Sequence, residues 1–110
     1  MNKTLYVSVS KKIKKFNKTI KIPGDKSCSI RALLFGSVCV GKTKIKNLLE
    51  SHDVLDCIQA LKSLGVKIVK NGKEYHVHGN GLGSFINNKK IKIWVGNSGT
   101  TSRILTGLLA

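Results

Sequence analysis

Acidic residues are scarce in this sequence: five Asp and Glu stand against 20 Lys and Arg, for a formal net charge of +15 over 110 residues. Such an excess points to anionic partners without saying which kind. Arginine is scarce too, with only Arg31 and Arg103, and aromatics are 5% of the chain. The bidentate base contacts and stacking platforms of nucleic-acid readers are therefore in short supply. Only three cysteines occur, at 28, 39 and 57, too few and too scattered for a disulfide framework, and no Cys-x-x-Cys pair suggests zinc or redox chemistry. Reduced cysteines fit the cytoplasm. His52, His76 and His78 form no metal constellation, so no metal site is expected. No long apolar run exists: the stretch from Ala32 to Val40 is too short to span a bilayer. Asp25, Lys26 and Arg31 interrupt any resemblance of that region to a signal peptide. No targeting segment and no membrane partner are expected.

What the chain does have is lysine, isoleucine and glycine. The densest lysine run is Lys11, Lys12, Lys14, Lys15, Lys18 and Lys21, with Phe16 the one aromatic inside it. Elsewhere lysines alternate with isoleucines, as in Lys44-Ile45-Lys46 and Lys90-Ile91-Lys92-Ile93, the pattern of a strand with one solvated face. Hydrophobic residues at 41% and a mean hydropathy of −0.03 describe a globular chain of one small domain at most. Two readings of the charge remain open: solvated faces around a site for a small anionic substrate, or a non-catalytic basic module that binds nucleic acid or other polyanions through Lys11–Lys21.

Periodicity predicts an α/β chain. Strands are expected at Leu5–Val9 and Thr19–Ile22, the second ending at Pro23-Gly24. Ile30, Leu33, Leu34 and Val38 recur at helical spacing, which predicts a helix over residues 27 to about 40, stopped by Gly41. A strand should follow at Thr43–Leu49. Asp53 should then cap a helix carrying Val54, Cys57, Ile58, Leu61 and Leu64, closed by Gly65. Strands are expected at Val66–Val69 and Tyr75–Val77 around an Asn71-Gly72 turn. A loop with Gly79, Gly81 and Gly83 should lead to a strand at Ile91–Val95. Asn97 or Ser98 opens a last helix with Ile104, Leu105, Leu108 and Leu109. That helix meets no closing cap before Ala110, so a truncated C-terminus is expected.

Gly36-Ser-Val-Cys-Val-Gly41-Lys42-Thr43 fits the P-loop formula, but a P-loop leaves a strand and opens a helix. Here a helix is expected before it and a strand after, with Val38, Cys39 and Val40 as apolar helix-face residues. The formula is set aside. Pro23-Gly24-Asp25-Lys26-Ser27-Cys28-Ser29-Ile30-Arg31 is better placed, with Lys26, Ser27 and Arg31 gathered at a helix N-terminus. Free N–H groups, an ammonium, a hydroxyl and a guanidinium there suit a phosphate or carboxylate. On spacing alone an ordinary capped helix accounts for the segment equally well. Gly96-Asn97-Ser98-Gly99-Thr100-Thr101-Ser102-Arg103 repeats the arrangement, with the glycines at 24 and 96 and the arginines at 31 and 103 both offset by 72. Two such turns in one small chain favour the anion site. No residue is an obvious activated nucleophile.

These two turns, together with Asn47-Leu-Leu-Glu-Ser-His-Asp-Val, resemble the 5-enolpyruvylshikimate-3-phosphate synthase family of the enolpyruvyl transferases, in its order and spacing, from about Ile20 to Ala110. The resemblance implies transfer of the enolpyruvyl group of phosphoenolpyruvate to the 5-hydroxyl of shikimate 3-phosphate, without metal or organic cofactor. It implies that Lys26 contacts both substrates and takes part in catalysis, and that Ser27 and Arg31 hold shikimate 3-phosphate. Asn97, Gly99, Thr100 and Arg103 would line the phosphoenolpyruvate pocket. Departures are Ile30 where the family usually has His or Asn, His52 where it has Asp, and Ser102 where it has Met. The implied fold is a partial domain of βαβαββ units: residues 22–110 give the first unit and the start of a second. Residues 1–21 give a strand segment that packs on the other domain. The chain would be a fragment of a monomeric cytoplasmic enzyme, inactive by itself, with no specific nucleic-acid partner.

Overall fold

The computed structural model describes residues 3–12, 14–85 and 91–110. Their order is α1 (Lys26–Val38), β1 (Val40–Lys46), α2 (His52–Ser63), β2 (Lys67–Asn71), β3 (Glu74–Asn80) and α3 (Gly99–Leu109). The three strands form one antiparallel sheet in the order β1-β3-β2. Alternation sets its two faces. Ile45, Ile68, Tyr75 and Val77 point inward and are buried, while Lys42, Lys44 and Lys46 point outward and are exposed. His76 and His78 share the outer face, as their spacing implied.

The helices cover the inner face. α1 packs on β1, β3, α2 and α3, and α2 packs on β2. Ile30, Leu33 and Leu34 of α1 are fully buried against Val54, Cys57 and Leu61 of α2, and Leu105 of α3 joins the same core. Ile30 thus occupies an apolar site, which explains an apolar residue there. Burial pushes the Cys57 thiol up to about 11. Ahead of α2, Glu50 ties the preceding loop to the hairpin. It accepts from Lys70 Nζ at 2.6 Å and Tyr75 OH at 3.0 Å, contacts that hold its carboxyl below the usual range.

Several boundaries differ from the sequence reading. Residues 3–12 and 14–25 carry no regular secondary structure, so the strands expected at Leu5–Val9 and Thr19–Ile22 do not form. Leu5, Tyr6, Val7, Val9, Ile20 and Ile22 are exposed, with no ladder to satisfy their backbone. Residues 91–95 form no strand either, though Ile93 and Val95 rest on the core. α1 ends at Val38 with Cys39 as an extended cap, its N–H bonded to Phe35 O, so Gly41 does not stop the helix. Val40 and Gly41 instead open β1 opposite Asn80 and Gly79, and Val40 is exposed rather than on a helix face. β1 ends at Lys46, leaving Leu48 and Leu49 outside it. β3 runs on to Asn80, which takes Gly79 out of the expected loop.

Ser51, not Asp53, is the cap residue of α2, and Asp53 falls inside its first turn. α2 does close at Gly65, whose N–H bonds Lys62 O while the N–H of Val66 bonds Leu61 O, a paired C-terminal motif. The hairpin turn is shifted by one. Asn71 pairs with Glu74, so Gly72 and Lys73 make the loop, with Gly72 at φ 62°. The helix-then-strand context around Gly36–Thr43 confirms that no P-loop is present, and Lys42 lies exposed on the outer face opposite His78.

Candidate anion-binding site

Both glycine turns open helices. Asp25 caps α1 and Ser98 caps α3, 73 residues apart, so the echo at 72 survives to within one residue. The caps differ in charge. The Asp25 carboxylate accepts from the Cys28 N–H at 2.7 Å, and that bond holds its pKa below the usual range. The N–H groups at the start of α1 are thus partly claimed by an anion of the chain itself, contrary to the sequence reading of free donors. Any external anion there depends on the side chains of Lys26, Ser27 and Arg31. At α3 the cap is neutral: Ser98 Oγ accepts from the Thr101 N–H at 3.0 Å. The first N–H groups of a helix have no partner within it, so those of Gly99 and Thr100 face outward at the positive end of the helix dipole. Asn97 and Gly99 are exposed and Thr100 is half-buried.

The first turn is held by Asn47, the residue after β1. Asn47 adopts φ 58°, donates from Nδ2 to Ile22 O at 3.4 Å, and presses its own carbonyl on Gly24, where a Cβ would overlap it. Ser29, part of the Lys-Ser-x-Ser-x-Arg pattern, is buried and accepts from the Leu49 N–H at 3.0 Å. It is a structural tie between α1 and the segment after β1.

The two turns meet at the first turn of α2. Lys26 Nζ lies 3.3 Å from Asp53 Oδ2, an ion pair whose Lys side chain is 49% exposed and whose Asp side chain is 21% exposed. The other Asp53 oxygen lies 3.4 Å from where a Cβ on Gly96 would stand, and Asp56 Oδ2 would overlap that Cβ. Gly96 also adopts φ 60°, which favours glycine. Asp53 therefore bridges Lys26 and Gly96. The structure brings the expected Lys26 and the Gly96–Thr100 turn to one place. Ser27 and Arg31 follow Lys26 along α1, and Arg103 stands one turn into α3, its guanidinium 3.9 Å from a Cβ built on Gly99. Among the described residues neither Arg31 nor Arg103 is engaged in an ion pair.

Sequence reasoning missed Asp53, Asp56 and Asn47 as parts of this site. The signal for the two acids was present: they lie three apart at a helix start, in a chain with only five acidic residues. Asn is one of the few residues besides glycine that readily turns left-handed, but the strand expected over Thr43–Leu49 hid that signal at Asn47. The lysines of the Lys11–Lys21 run are exposed on backbone without regular structure. No helix among the described residues is long and apolar enough to cross a membrane.

Comparison with known proteins points the same way. Residues 10–110 match the family described as EPSP synthase (3-phosphoshikimate 1-carboxyvinyltransferase), a match that begins ten residues before the resemblance read from the motifs. The 3-phosphoshikimate 1-carboxyvinyltransferase of Oceanobacillus iheyensis is 46% identical over 92 residues, which are 84% of this chain and 21% of that protein. The protein of the same description from Bacillus cereus is 49% identical over 94 residues, 86% of this chain and 22% of its own length. Among solved structures, the EPSP synthase of Acinetobacter baumannii superposes with a TM-score of 0.71 at 36% identity, over 82% of this chain and 20% of that one. The chain thus spans about a fifth of the length of the relatives it matches.

Proposed function

The chain belongs to the EPSP synthase (3-phosphoshikimate 1-carboxyvinyltransferase) family, and from that premise we propose that it supplies two anion-binding turns for enolpyruvyl transfer. The reaction moves the enolpyruvyl group of phosphoenolpyruvate to the 5-hydroxyl of shikimate 3-phosphate and releases phosphate. Lys26 stands between the two substrates, with Ser27 and Arg31 on the shikimate 3-phosphate side. Asn97, Gly99, Thr100 and Arg103 take phosphoenolpyruvate. Cations and outward N–H groups aimed at one place stabilise charge that develops during transfer, and they do so without any nucleophile of the protein. Residues 22–110 correspond to one βαβαββ unit and the start of a second, and residues 1–21 to a segment that packs elsewhere in a complete enzyme. That enzyme is monomeric and cytoplasmic in this reading, and the Lys11–Lys21 run is solvated surface.

The observation that carries the reading is the meeting of the Lys26 and Gly96–Thr100 turns across Asp53. A chimera tests it. Residues 10–110 replace the matching segment of the Bacillus cereus relative, and phosphate release from the two substrates is measured. The chimera turns over, and the 110-residue chain alone does not. A folded chimera without turnover, or phosphate release by the isolated chain, overturns the proposal.

A further inference from the structure

Where the two turns meet, α2 presents two carboxylates, and only one of them holds an ammonium. Asp53 Oδ2 holds Lys26 Nζ at 3.3 Å, and Asp56 stands so close to Gly96 that a Cβ there would overlap its Oδ2. Asp53 and Asp56 are three residues apart on α2, so they project from the same side of the helix. Among the described residues no Lys, Arg or His pairs with Asp56. A site whose ligands are anions therefore carries an unneutralised negative charge against the backbone of its second turn. We propose that Asp56 tunes affinity, weakening anion binding at the Gly96–Thr100 turn by its charge while its contact with Gly96 fixes the turn's position; this rests on the proposed function above. It touches no ligand and acts through the field at the turn.

The test is a titration of inorganic phosphate, and separately of phosphoenolpyruvate, into the 110-residue chain. Binding is read from the amide resonances of Asn97–Thr101. Asp56→Asn keeps the shape and removes the charge, and it tightens both ligands by about threefold to tenfold at low salt, the size expected for one charge a few ångströms from the ligand at a partly exposed site. Asp56→Glu keeps the charge and gives no tightening. The gain from Asn shrinks as ionic strength rises toward roughly 1 M, where screening acts over about 3 Å. A purely structural role predicts equal or weaker binding for Asn, and that result overturns the inference; so does a gain that does not change with salt. Asp56→Ser guards against a misplaced turn in the Asn variant, because a second neutral residue must tighten binding too. If phosphate shifts no amide in any variant, the inference falls, while turnover by the chimera still decides the family reading.

Discussion

Gly99 offers the sharpest separation between a residue needed by the fold and one needed by a ligand. A Cβ built there meets nothing nearer than the Arg103 guanidinium at 3.9 Å, and the backbone is not left-handed. Gly99→Ala therefore costs the fold nothing. Alanine exceeds glycine in helix preference by up to about 1 kcal/mol. A domain of this size gains roughly 4–8 °C in Tm per kcal/mol, so the variant melts at the same temperature or a few degrees higher. Ligand binding moves the other way. The new methyl stands beside the outward N–H groups of Gly99 and Thr100, where the family reading puts phosphoenolpyruvate. A loss of one to two tenfold steps corresponds to about 1.4–2.8 kcal/mol of selective clash. Shikimate 3-phosphate, which the proposed function puts on α1, is spared. Gly24→Ala supplies the contrast, since its Cβ would overlap the Asn47 carbonyl and the variant loses on the order of 1–3 kcal/mol of stability. The assay pairs thermal melts with titrations of each ligand, in the chimera where both are bound. A destabilised Gly99→Ala, or equal losses for both ligands, refutes the reasoning and makes Gly99 a backbone requirement.

In the same chimera, Lys26→Ala removes nearly all turnover while Lys42→Ala stays within a few-fold, because Lys42 points into solvent from the outer sheet face; comparable losses would reinstate the P-loop formula. Thiol titration of the native chain at pH 8 finds two fast groups, Cys28 and Cys39, with the buried Cys57 reacting only on unfolding. The raised Cys57 thiol also gives the stability curve an alkaline limb. The unfolded chain releases this proton near 9 and the folded chain only near 11, so stability present below pH 9 is lost between those values, and Cys57→Ala flattens that limb. Three fast thiols, or an unchanged limb in the variant, would contradict the buried placement.

Much of this fold was legible in the residues. Helical spacing found α1, α2 and α3, and alternation assigned Ile45 to the core and Lys44 and Lys46 to solvent. Those signals are local and each element obeys them. The failures have a common cause. Leu5–Val9, Thr19–Ile22 and Ile91–Val95 read as strands by alternation, but a strand exists only when a neighbour accepts its hydrogen bonds, and no sequence pattern names the neighbour. Asp53 looked like a cap because its side chain suits one. A carboxylate at the second position of a helix can serve the dipole equally well and reach Lys26, a partner 27 positions earlier in the chain. The glycine turns and their arginines were visible as a repeat. That Gly24 needs its missing side chain for Asn47, and Gly96 for Asp56, belongs to tertiary packing alone.

α1 touches β1, β3, α2 and α3, and the hydrophobic core is built around its buried residues. Amide protons in the hydrogen-bonded interior of α1 and of the elements it packs on are therefore expected to be among the slowest to exchange with solvent. Those of residues 3–12 and 14–25, outside every helix and strand, exchange at once. The boundary between the two regimes falls where the N–H groups of Cys28 and Ser29 bond back to Asp25, so the turn that carries Lys26 is the place where the chain passes from unprotected to protected within a few residues.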